Sequence, residues 1–191
     1  MVMRNLLMVV LPLVLAGCFS VTPPKVKHWT VTPAASELTP AERPTYGEAR
    51  LAIVAVRSPF DGKEFTVLRS DGSMAFDPFN HFASAPSALI KGAALDVIRG
   101  TGMFKGVQTA VTTADVSCNL ELIVDEIALD CRTEGSRLAS VKLTLAMISK
   151  RQVSAAAHGA ATVDASSGDY SAAFGEAFTK AVVSAVSGLA K

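Results

Sequence analysis

Aromatic residues are scarce in this chain: they make up 6% of 191 residues, with one tryptophan and two tyrosines. Half of the residues are nonetheless hydrophobic, many of them alanine, so the core is expected to close by tight small-residue packing rather than on rings. Charge is sparse and balanced, with 18 basic against 17 acidic side chains and no basic block. That balance gives no support for nucleic-acid binding. Histidine is rarer still. His28, His81 and His158 stand isolated, none at the spacing of a metal pair, and no CxxC accompanies the three cysteines. Serine motifs of the hydrolase-elbow type are missing. The glycine-rich "RGTGMFKG" follows a helical pattern rather than a strand, the reverse of what a phosphate-binding loop needs. Asp125-Glu126 is an acid pair, but neighbouring strand residues point to opposite faces, so bulge residues in solvent are expected there. These absences argue against an enzyme, a metal and a cofactor.

What the chain does have begins at its N-terminus. Arg4 precedes an apolar run from Leu6 to Ala16, too short for a permanent bilayer span of about 20 residues. A basic start, an apolar middle and small residues at a cut describe a secretory signal. The cut region, Leu15-Ala16-Gly17-Cys18, resembles the bacterial lipobox, which implies a diacylglyceryl group on the Cys18 thiol and removal of residues 1–17. Two or more acyl chains anchor stably, each buried methylene contributing about 0.8 kcal/mol. Phe19, rather than an aspartate, follows the cysteine, and in bacterial lipoproteins that implies the outer membrane, periplasmic face. Residues 18–26 form a lipidated cysteine and a short tether with two prolines, whose eight residues after Cys18 reach at most about 28 Å. Residues 27–191 fit one domain with a sizeable core.

Cys118 and Cys131 flank "NLELIVDEIAL", which reads as one long strand. At about 3.3 Å per residue their sulfurs stand on the order of 40 Å apart, favouring free thiols over a disulfide. The phase of apolar residues switches between Leu120-Leu122-Val124 and Ile127-Leu129-Cys131, which predicts a bulge at Asp125-Glu126. "SRLASVKLTLAMISKRQ" follows as the partner of an antiparallel hairpin, and "QVSAAAHGAATVDA" reads as a weaker strand. Earlier, "KHWTVTP" and "RLAIVAVRSP" read as strands, and Asp71-Gly72 as a hairpin turn between "EFTVLR" and "SMAFD". Pro86 suits the first turn of a helix whose apolar face runs Leu89, Ile90, Ala93, Ala94, Val97 and Ile98. A second amphipathic helix is predicted from Tyr170 to Leu189, packed through Phe174, Phe178, Val182 and Val186. Together these elements predict an α+β fold, an antiparallel sheet with two main helices packed on one face as an α/β sandwich.

Three of the phenylalanines crowd into "FDPFNHF", residues 76–82. Asp77-Pro78 and Asn80 predict a loop leading to the helix. Phe76 and Phe82 are expected to cap the core, while Phe79, with His81 and Phe82 beside it, is the candidate contact for a partner or a lipid.

The run from Arg50 to Val107, with the lipobox, resembles the ABC-type transport auxiliary lipoproteins, the PqiC-like group. "HWTVTP" matches that family's first strand, Pro86 its proline-started helix, and Gly102, Phe104 and Val107 its helix end. His81-Phe82 departs from the Arg-Trp that many members carry there. The resemblance implies a periplasmic docking component of an ABC transporter with an MCE-domain partner, in phospholipid transport between membranes, and members can form homo-oligomers. The alternatives are a structural or assembly lipoprotein, serving a cell-wall synthase or lipopolysaccharide export, and a module that carries lipid itself.

Overall fold

A computed structural model describes residues 25–111 and 114–190. The expected signal peptide, residues 1–17, and Cys18 lie outside the described residues. Eight strands and two α-helices follow in the order β1 (Lys27–Trp29), β2 (Tyr46–Val56), β3 (Glu64–Arg69), β4 (Met74–Phe82), α1 (Pro86–Gly100), β5 (Phe104–Thr109), β6 (Cys118–Cys131), β7 (Leu138–Ser149), β8 (Gln152–Asp164) and α2 (Tyr170–Gly188). The fold is α+β.

The sheet is mixed, which corrects the antiparallel expectation. β6 pairs antiparallel with β7 along one edge, but on its other edge β2 and then β3 both run parallel to it. The cause is topological. After β2 the chain does not turn back; it resumes in the same direction as β3, further along the same side of β6. The α1 crossover then delivers β5 parallel to β2, and the three residues of β1 lie parallel to the end of β4. One end of the sheet therefore reads β6-β7-β8 and the other forks into β2-β5 and β3-β4-β1.

Both helices share one continuous apolar core with the sheet. α2 lies over β7 and β8, and α1 meets β2, β5 and α2. Leu120, Leu122, Val124, Ile127 and Leu129 of β6 are all buried, either side of a register shift between Val124 and Glu126. The expected bulge is there, and it turns the acid pair to one face instead of two. Asp125 meets Arg57 at 2.8 Å and accepts from Thr144 at 2.9 Å, while Glu126 accepts from Ser140 at 2.6 Å and meets Lys142 at 2.8 Å. Ser140, Lys142 and Thr144 alternate along β7, so these pairs mark the sheet's outer, polar face.

Small residues let α2 come close. A Cβ on Gly159 of β8 would lie 1.8 Å from the Ala181 carbonyl oxygen, and one on Gly175 would lie 1.7 Å from that of Thr32. Asp169 caps α2 by accepting from the Ala172 amide at 3.1 Å. Phe174, Phe178, Val182 and Val186 are all buried. Cys118 and Cys131 are both free, and burial pushes the Cys118 thiol up, which keeps it protonated.

Candidate functional site

The "FDPFNHF" segment is strand, not loop: it forms most of β4. The loop expectation failed because β3 and β1 hold its two ends. Gly72, at φ +80°, closes the hairpin from β3, and pairing runs Leu68–Met74, Val67–Ala75, Thr66–Phe76 and Phe65–Asp77. The next pair is Glu64–His81, so Pro78, Phe79 and Asn80 stand outside the β3 ladder. Pro78 has no amide proton to give to a ladder, which suits a bulge. The Asp77 carboxylate organises that bulge, accepting from the Phe79 amide (2.8 Å), the Asn80 amide (3.1 Å) and the Asn80 side-chain amide (2.8 Å). Asn80 Oδ1 in turn accepts from Trp29 Nε1 at 3.0 Å, fastening the bulge to β1.

This geometry separates the three rings. Phe82 is 1% exposed and packs on Phe65 and Phe174, with ring centroids 4.6 and 5.5 Å away. It cannot touch a partner at the surface, so its inclusion among the contact candidates is corrected. Phe76 is also corrected, in the other direction. Opposite Thr66 on the outer face it is 53% exposed, as is Met74 two residues before it. Phe79 is 45% exposed at the bulge. His81 lies between these states, edge-on to His28 at 6.0 Å, with a buried Nε2 that has no hydrogen-bond partner among the described residues. His158, on β8, lies 3.0 Å from the Thr144 hydroxyl.

A second surface was not singled out in the sequence. β8 pairs only with β7 among the described strands, leaving its other backbone edge open over 13 residues. From Gln152 to Val163 it carries no Asp, Glu, Lys, Arg or Pro, and Val153 is 64% exposed. Edge strands usually carry just those residues to prevent pairing with another chain. The signal was present as a charge-free stretch, but only the topology shows that this strand ends the sheet.

An open cleft of about 400 Å³ between Thr32-Pro33-Ala34 and the start of α2 is lined by Asp169, Ser171 and Glu176, and Asp169 is already engaged as the cap. Among the described residues no group of three or more His, Cys, Asp or Glu side chains could hold a metal ion. No helix among them is long and apolar enough to cross a membrane.

No protein-family model matches the chain, and no curated protein does. Among solved structures it is similar to protein XCC0632 from Xanthomonas campestris, described as a DUF330 protein. The likeness is at 16% identity and TM-score 0.58, over 84% of this chain and 86% of that one. An uncharacterized protein matches at 12% identity and TM-score 0.50, over 82% and 90% of the two chains. A PelC dodecamer from Paraburkholderia phytofirmans matches at 16% identity and TM-score 0.46, over 80% and 92%. At these identities the first two likenesses concern the fold. The expected membership of the ABC-type transport auxiliary lipoproteins is overturned: no family model matches the chain, and the two structures that share its fold are described as a DUF330 protein and an uncharacterized protein.

Proposed function

We propose that the protein is a lipid-anchored docking module of the cell envelope, held at the periplasmic face of the outer membrane by Cys18. Its domain grips a partner by strand addition to β8. The observation that carries this reading is the open edge of that strand, uncharged and proline-free from Gln152 to Val163. An extended segment laid against such an edge gains main-chain hydrogen bonds along its length, and the small outward side chains Ala156 and Ala160 leave room for it. The partner proposed first is an MCE-domain protein working with ABC transporter components in phospholipid transport. A lipid-carrying module would need an apolar cavity, whereas here Phe65, Phe82, Phe174 and Tyr170 fill the space between sheet and helix in ring-to-ring contact.

A photo-reactive residue placed at Ala156 or Ala160 in the full-length chain, in cells, tests this. The expected product is a cross-link to an MCE-domain or transporter component. A cross-link to a cell-wall synthase or a lipopolysaccharide-export protein would favour the assembly-lipoprotein reading. A cross-link only to a second copy would make β8 a self-association edge, and none at all would remove β8 as the docking site.

A further inference from the structure

We propose that the face built from Val26, Phe79, Phe76 and Met74 rests on the bilayer that holds the lipid anchor, so that the domain sits with its β1–β4 end on the membrane. This rests on the reading of Cys18 as the lipidated residue. Chain length is the first argument. Lys25 is seven residues from Cys18, a reach of at most about 25 Å when fully extended. Where that tether enters is the second. Lys27 pairs with Asn80 and His28 with His81, so Val26 and Lys25 emerge beside Phe79. The five strand spacings from β1 to β8, at about 4.8 Å each, put β8 roughly 24 Å further off. The tether brings the β1 end within reach of the lipid surface, and a domain seated on that end holds β8 away from it.

Chemistry agrees with geometry. Val26, Met74, Phe76 and Phe79, four of the large hydrophobics left exposed, gather at this end of the sheet, at 42, 53, 53 and 45%. Lys25 and Lys27, both exposed, flank Val26 and suit anionic headgroups. The acids nearby are Asp77, spent on the turn that holds Phe79 outward, Glu64 across from His81, and Asp71, which accepts from the Ser73 amide in the hairpin before Met74 with Arg69 close by. Apolar rings with lysines around them are what an interfacial membrane contact uses.

The lipidated full-length chain, reconstituted in phosphatidylethanolamine–phosphatidylglycerol vesicles with brominated acyl chains, provides the test. Trp29 is kept, because its Nε1 fastens the bulge, and Phe79→Trp or Val153→Trp adds a second fluorophore at either end of the sheet, read as the difference from the unsubstituted protein. Emission from the Phe79→Trp protein should shift to the blue and be quenched by the brominated lipid, while that from Val153→Trp should change in neither respect. If the chain does not float with the vesicles, the anchor reading fails and takes the proposal with it. If it floats but Phe79→Trp is unquenched, the anchor stands and the seated face is wrong. Phe79→Trp unquenched, together with a cross-link formed in cells by a photo-reactive residue at position 79, would assign the face to the protein captured instead.

Discussion

At the scale of single residues, "FDPFNHF" shows how one bulge decides which ring is core and which is surface. Alternation alone would put Phe76, Pro78, Asn80 and Phe82 on one side of a strand. Inserting Pro78, Phe79 and Asn80 outside the ladder breaks that parity, leaving Phe76 on the outer face and Phe82 in the core. The sequence contains Pro78 and Asn80, the residues that make the break, but not the partner strand against which the break is measured. Phe82→Ala should therefore lower stability by about 3 to 5 kcal/mol, as for other buried rings. Phe79→Ala should stay within about 0.5 kcal/mol, as exposed substitutions do. Urea midpoints of the two proteins decide it, and equal shifts would contradict this placement. Gly159→Ala is the sharper case. Its new methyl group meets a backbone carbonyl, not a side chain that can turn away, so a loss of about 1 to 3 kcal/mol is expected from overpacking.

Elements were legible where their signal is local. The α2 periodicity from Tyr170 onward and the phase switch at Asp125-Glu126 both survive in the structure as a helix and a bulge. Strand direction was not legible, because whether β2 and β3 run with or against β6 depends on a pairing between segments some 70 residues apart. The same limit hid β8, whose alanines and glycine look like a weak strand until the topology puts them at an edge over α2. Two element-level outcomes follow. Asp169→Ala removes the α2 cap and should cost about 1 kcal/mol, read from thermal or urea unfolding. Ala156→Lys with Ala160→Lys should leave the unfolding midpoint nearly unchanged, since both positions are exposed, yet abolish cross-linking from a photo-reactive residue placed at the exposed Thr162 of β8. Full cross-linking by the doubly charged edge would count against strand addition.

On the scale of the whole molecule, the sheet ends at β1 beside β4 on one side and at β8 on the other, and the proposed lipid on Cys18 would give that polarity a direction. Cys18→Ala should move the protein from the membrane to the soluble fraction and remove palmitate label; label that persists would refute the anchor. Tether length then separates passive proximity from a seated face. If Cys18 carries the anchor, the native tether keeps the domain near the bilayer whether or not Phe79 contributes. A flexible insert of about 20 Gly/Ser residues between Pro24 and Lys25 lets the domain wander, since a coil of that size spans on the order of 30 Å. Energy transfer from Trp29 to a dansyl-headgroup lipid reports the distance. With the native tether, Phe79→Ser should barely alter transfer. In the lengthened chain the unsubstituted domain should still return to the surface and transfer well, whereas Phe79→Ser should drop transfer, because the contact must now hold by its own affinity. Equal transfer from both lengthened proteins would mean that the tether alone, and not the β1–β4 face, keeps the domain at the membrane.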